Sequence, residues 1–312
     1  MTYHHAKESE SLNDFSEECH GKQVRIWVVA HCVIKDGVIV EEFLVRDNKR
    51  LFRQLGMCSE SVAKNWAKRW LSDKRDPARS GSCHLTWLAA EFQRVQGIRE
   101  PGQVPKINLD NVAPAERHMN EYLALRIAGL FGQVWGPQGM TSRDKFESLV
   151  KQLYHPHARF ESPQTNDIDL TGWAELVTLY DSFVLGNQQG KQVAISLDWV
   201  IVQPGHETRK FPNCGKTNEW RYPTATDKDL QLQLNEKFNN SDQLSLSYTL
   251  AIRWTLVGFQ KQSDGEVLAP VVLLAESHLE CAGFRVLHDI TVYDGVAVDA
   301  QIHLAHDAVH ED

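Results

Sequence analysis

Two groups of side chains in this chain have the types and spacing that move protons. The first is Glu276 and His278 in LLAESHLE, followed by Asp289 in VLHDITVY. In a strand, alternate residues face opposite sides, so Glu276 and His278 share a face, and Leu287, Asp289, Thr291 and Tyr293 share another. Paired across a hairpin that turns at Ala282-Gly283, they suggest a Glu-His-Asp cluster. An enclosed carboxylate has its pKa raised by desolvation, which is what a general base needs. A neutral imidazole beside it relays a proton. The plainer alternative is an ordinary cross-strand polar pair. The second group is Tyr154, His155 and His157, with Tyr180 further on. Phenol and imidazole donate hydrogen bonds to a developing oxyanion. His155 and His157 have no third ligand at metal-site spacing, so neither a metal nor a cofactor is expected.

The elements that must position these groups follow from pattern. Residues 22 to 35 read as a strand rich in β-branched and aromatic side chains, and Asp36-Gly37 is a tight-turn signal before a partner strand, Val38 to Arg46. Asn48 to Leu55 reads as a short helix stopped by Gly56. Helices are expected at Ser59 to Leu71, His84 to Gln96, Ala115 to Trp135, Ser142 to Leu153 and Gly172 to Leu185. Strands follow at Gln192 to Val202, Leu244 to Phe259, Val267 to Glu280 and Phe284 to Asp294. Residues 204 to 240 form an insertion with a short helix near Leu230 to Phe238. Three helices before a twisted antiparallel sheet give an α+β fold, with helices on one face and a cone-shaped pocket at the open end.

The chain also contains one stretch twice. With a single gap-free shift of 247, Trp27 to Leu55 overlays the region around His278 to Ile302: His31 meets His278, Val45 meets Val292, and Asp47 meets Asp294. This is an internal-repeat signal. It divides the chain into a partial first copy at 1–56, a helical connector and linker at 57–113, and a full domain at 114–312.

Composition narrows the classes of function. The formal net charge is −8, so the global field does not draw in nucleic acid or an anionic membrane. No apolar run is long enough to span a bilayer, and the first residues lack the apolar core of a signal peptide. The six cysteines are scattered without a CxxC pair, which favours reduced thiols and a cytoplasmic setting.

Residues 114 to 302 resemble the SnoaL-like polyketide-cyclase family, within the ketosteroid-isomerase-like and nuclear-transport-factor-2-like cone folds. The resemblance rests on SRDKFESLVKQLYHPHARFESP (142–163), LAIRWTLVGF (250–259) and GFRVLHDITVYDGVAVDAQI (283–302), and DGVIVEEFLVRDNKRLFRQLG (36–56) matches the last of these again. It implies a cofactor-independent cyclase, isomerase or dehydratase acting on a small apolar or aromatic metabolite, and a homodimer. It places Tyr154, His155, Trp173, Tyr180, Trp254, Thr291 and Tyr293 around a substrate, and the strand alternation adds Asp289, His278 and Glu276 as the candidate acid/base set. The family's usual closing-strand aspartate is matched by Thr291, and by Leu44 in the first copy. Neither titrates near neutral pH, so Asp289, two residues earlier, is the candidate replacement. A non-catalytic binding pocket and an interaction module are the competing readings, since fold alone does not assign function.

Overall fold

The structure is a computed structural model that describes Cys19 and residues 21–72, 81–96, 107–110, 112–114, 117–162, 165, 169–182, 193–204, 247–261 and 268–310. The expected lead-in at 1–20 lies almost wholly outside these residues. So do most of the 97–113 linker and nearly all of the 204–240 insertion with its helix.

Two sheets organise the described chain. The smaller is a hairpin of β1 (Val28–Lys35) and β2 (Val38–Arg46). Its turn uses positive φ at both Asp36 (53°) and Gly37 (78°), the conformation that makes Asp-Gly a hairpin signal. The larger sheet has seven strands in the order β3-β6-β7-β8-β9-β4-β5. They are β3 (Ile107–Asn108), β4 (Tyr154–Glu161), β5 (Leu170–Thr171), β6 (Ala194–Pro204), β7 (Ser247–Lys261), β8 (Leu268–Ala282) and β9 (Arg285–Tyr293). Its centre, β6 through β9, is antiparallel. Parallel pairs flank it, β3 on β6 and β4 on β9.

The two hairpins pair alike. Val28 opposes Arg46 and Lys35 opposes Val38; 247 residues on, Ala275 opposes Tyr293 and Ala282 opposes Arg285. Each ladder has one register shift, at Val33/Ile34 and at Glu280/Cys281, again 247 apart. An aspartate then caps a helix in both. Asp47 accepts from the Arg50 amide at the start of α1 (Asn48–Leu55), and Asp294 accepts from the Val296 and Ala297 amides at the start of α8 (Gly295–His310). Gly56 ends α1 at φ 81°.

Helices cover both faces of the large sheet. On the concave face lie α4 (Arg117–Trp135), α5 (Arg143–Leu153), α6 (Gly172–Leu176) and α7 (Leu179–Ser182). The Ser142 hydroxyl caps α5 by accepting from the Lys145 amide. The single helix expected over 172–185 is instead two short pieces. The Tyr180 amide bonds the Val177 carbonyl, and the Thr178 hydroxyl bonds back to Glu175 O, so the ladder breaks between them. On the convex face, α3 (Gly81–Gln96) places Leu88, Phe92 and Val95 on Ala194, Val257 and Val272. There too α2 (Ser59–Ser72) packs Val62 and Ala63 against Val296 and Ala300 of α8. The root of the β1-β2 hairpin sets Trp27, Val29 and Val45 on Ile290 and Val292. Helices on one face only was the expectation; the convex face is half-covered as well, because β6 to β9 carry apolar residues on both sides.

Candidate functional site

The inside of the cone is a packed aromatic core. Trp135 and Trp254 stack with centroids 6.4 Å apart and planes at 20°, ringed by Phe131, Phe146 and Phe160. All five are essentially unexposed. Helix α4 supplies Phe131 and Trp135 from one face, one turn apart, which is why its apolar periodicity reads as a core stripe.

Asp289 lies in this interior and is fully buried. Tyr154, at the junction of α5 and β4, donates its phenol O–H to Asp289 Oδ2 at 2.6 Å. Thr291 donates to Asp289 Oδ1 at 2.8 Å. The Ser277 hydroxyl lies 2.6 Å from that of Thr291, and Trp254 Nε1 donates to Ser277 Oγ at 2.9 Å. Read as one relay, indole, serine, threonine and tyrosine all direct protons toward one carboxylate. Such a satisfied network is what permits a buried ionisable group. Burial pushes the Asp289 carboxyl up to about 6, against the opposing pull of the Tyr154 and Thr291 hydrogen bonds. Burial also raises the Tyr154 phenol well above its usual value, aided by the Asp289 charge, so it remains a donor. The Tyr154 carbonyl is fixed from outside by Trp173 Nε1 at 2.9 Å and by the Arg285 guanidinium at 3.1 Å.

The expected Glu276-His278-Asp289 cluster does not assemble. The ladder pairs Ser277 with Thr291 and Leu279 with Asp289, while Glu276 opposes Val292 and His278 opposes Ile290. Directly paired residues share a face, so Glu276 and His278 lie on the convex side, across the sheet from Asp289. The sequence pattern gave the alternation but not which parity of β8 meets Asp289. Leu287 also departs from its expected face. It is the extra residue of the bulge, and Val286 takes the core position instead.

The other expected residues are scattered. Trp254 and Tyr293 are core. Tyr180 is half-buried against Phe146. His155 is buried, and its Nδ1 accepts the His157 amide. Trp173 lines an open cleft of about 570 Å³ with Arg143, Lys151 and His157. A second cleft, about 620 Å³, runs along α4 to Phe284 and Arg285. Asp289 lines neither.

A second titratable cluster was not visible in sequence. On the convex side, His288 Nε2 lies 3.0 Å from Glu161 Oε1, and its Nδ1 lies 3.7 Å from Glu280 Oε2. Trp27 Nε1 donates to Glu161 Oε2 at 3.1 Å, and Arg159 pairs with Glu161 and Asp169. Burial opposes charge on His288, but the two glutamates outweigh it and hold the imidazolium up to about 9. Burial likewise opposes the Glu161 charge, yet His288 keeps that carboxyl below its ordinary value. The cluster depends on parallel pairing of β4 with β9 across more than a hundred residues, which no local pattern announces. Among the described residues, no group of three or more His, Cys, Asp or Glu is placed to hold a metal ion, and no helix is long and apolar enough to cross a membrane.

No family model and no curated protein matches the sequence. Solved structures are similar in fold. One, provisionally assigned as a SnoaL-like polyketide cyclase, is from Jannaschia sp. CCS1 (13% identity, 60% of this chain and 92% of that chain, TM-score 0.34). Another with the same provisional assignment is from Shewanella putrefaciens CN-32 (9% identity, 61% and 94%, TM-score 0.33). A third, from Catenulispora acidiphila DSM 44928, has a ketosteroid isomerase-like fold and was solved with trimethylamine (11% identity, 56% and 90%, TM-score 0.31). The cone itself is established by this chain's own strand order and helix placement.

Proposed function

We propose that this chain is a cofactor-independent acid/base protein of the SnoaL-like kind, acting on a small apolar carbonyl compound inside the cone. The observation that supports it is the Asp289-Tyr154 pair: a wholly enclosed carboxyl, raised to about 6, with a phenol donor at 2.6 Å. Asp289 removes a proton α to the carbonyl, the electron pair moves onto the carbonyl oxygen, and Tyr154 donates its hydrogen bond there. When Tyr154 turns to the substrate, Asp289 loses one of the two donors that stabilise its anion. Its basicity therefore rises as the substrate is engaged. Return of the proton elsewhere gives isomerisation, and loss of a β-leaving group gives dehydration. The partial-copy reading of the N-terminal hairpin is supported by the matching register of the two ladders.

A second reading is a non-catalytic protein that works through its surfaces. The packing supports it, since the cone is filled by five aromatic side chains and the described clefts open elsewhere. Giving up the packing of one large aromatic costs about 3–5 kcal/mol, which a ligand must offset to enter.

Thermal melting of the wild type and Asp289→Asn against aromatic polyketide-like, steroid and terpene compounds separates the two. A ligand of the folded state raises the melting temperature by mass action. Catalysis requires a compound that stabilises both proteins and is consumed by the wild type alone. Equal binding without turnover makes this a binding pocket. No shift with any compound leaves the surface reading.

A further inference from the structure

Every exposed large apolar side chain among the described residues falls in one of two places. One is the β1-β2 hairpin, with Val28, Ile34, Val38, Ile39, Val40 and Leu44 between 42% and 65% exposed. The other is the outer side of α4, with Tyr122 at 52% and Leu125 at 43%. Contiguous exposed apolar surface of this kind marks an interaction site.

The hairpin's register says which of its faces is unoccupied. Val29 and Val45 oppose each other and pack on the protein's own sheet. The opposite face carries Val28, Ala30, Cys32 and Ile34 on one strand, and Ile39, Glu42, Leu44 and, at its root, Arg46 on the other. All eight are exposed and point away from the body. At the matching positions 247 residues on, Ala275, Ser277, Leu279, Cys281, Val286, Asp289, Thr291 and Tyr293 are all buried, in the interior that α4 and α5 close. A surface of this pattern is one that a helix covers.

The groove along α4 has complementary features. It is lined by Tyr122, Leu125, Arg126 and Leu130, with Phe284 and Arg285 from the β8-β9 turn, and it contains two guanidinium groups and no carboxylate. Arg126 lies over the Phe284 ring at 4.5 Å, and Tyr122 meets the same ring edge-on. Burial, then the Arg126 charge, lowers the Arg285 pKa, so an incoming anion is favoured there. The hairpin offers Glu42, midway along its apolar face. The lengths agree as well. Val28 to Ile34 spans about 20 Å of strand, and Tyr122 to Gln133 about 17 Å of helix. One copy cannot satisfy itself, because its hairpin sits on the convex side of the sheet and its α4 on the concave side.

We propose that the outward face of the β1-β2 hairpin docks on the α4 groove of a second copy of this chain, with Glu42 set against Arg126 and Arg285. Reciprocal exchange of the two contacts closes a dimer.

A charge swap tests this in the full chain. The wild type, Glu42→Arg, Arg126→Glu and the double variant are compared by sedimentation equilibrium, with far-ultraviolet circular dichroism as the check on folding. All the altered side chains are at the surface. The wild type is expected to dimerise, each single variant to dimerise about tenfold or more weakly, and the double variant to recover most of the loss. A monomeric wild type overturns the proposal. So does a dimer that ignores both single changes, or single losses that the double variant does not repair, which would point to another face or another protein as the hairpin's partner.

Discussion

Asp289 carries the clearest physical signature at the scale of single residues. Its folded pKa, about 6, lies above the ordinary 3.8. The folded state therefore holds the proton more tightly than the unfolded chain. Its contribution to stability is greatest below pH 4, falls as pH rises to about 6, and is level above that. The size of the fall is on the order of 3 kcal/mol. Asp289→Asn keeps the shape and removes the titration. In urea unfolding at pH 4 and pH 7, the variant should gain on the wild type by that order at the higher pH. A difference that does not change with pH would mean that burial does not raise the Asp289 pKa above its unfolded value. That an acid sits at this position was legible from strand alternation. Its partner Thr291 follows from the same alternation, but Ser277 behind it does not, because that contact depends on the pairing parity of β8 with β9.

At the scale of elements, local chemistry was readable where it is local. Asp-Gly gave the β1-β2 turn, Gly56 the end of α1 and Ser142 the start of α5. What depended on tertiary pairing was not readable: the break between α6 and α7, the bulge at Leu287, and the placement of α2 and α3 on the convex face. The two aspartate caps support a prediction at this scale. Asp294→Ala removes the acceptor for two α8 amides and for the Asn48 side chain. It should lower the unfolding free energy by about 1–2 kcal/mol, as should Asp47→Ala at α1. A loss below a few tenths of a kcal/mol at either site, from urea midpoints, would show that the amide finds water instead.

At the scale of the whole molecule, the Trp27-Glu161-His288-Glu280 cluster ties the segment leading into β1 to the main sheet. The folded pKa of His288, about 9, lies above its ordinary 6.5. Its stabilising contribution is complete below pH 6.5 and is lost as pH rises through about 9. His288→Gln leaves two buried glutamates facing each other and should cost about 3 kcal/mol at pH 7. The cost should be largest below pH 6.5 and shrink as pH rises toward 9. Hydrogen exchange should locate the loosening in β1, β2 and the segment before them. Exchange that rises evenly across the chain would mean that the cluster stabilises the fold without holding the hairpin down.

The stacked pair of Trp135 and Trp254 has an optical consequence. Two indoles 6.4 Å apart in a chiral, buried setting couple electronically and give strong near-ultraviolet dichroism and blue-shifted emission. Those bands vanish when side-chain packing loosens, even if the helices and strands survive. The cone thus contains its own spectroscopic gauge: a guest that disturbs the pair on entry changes the signal before any product is sought.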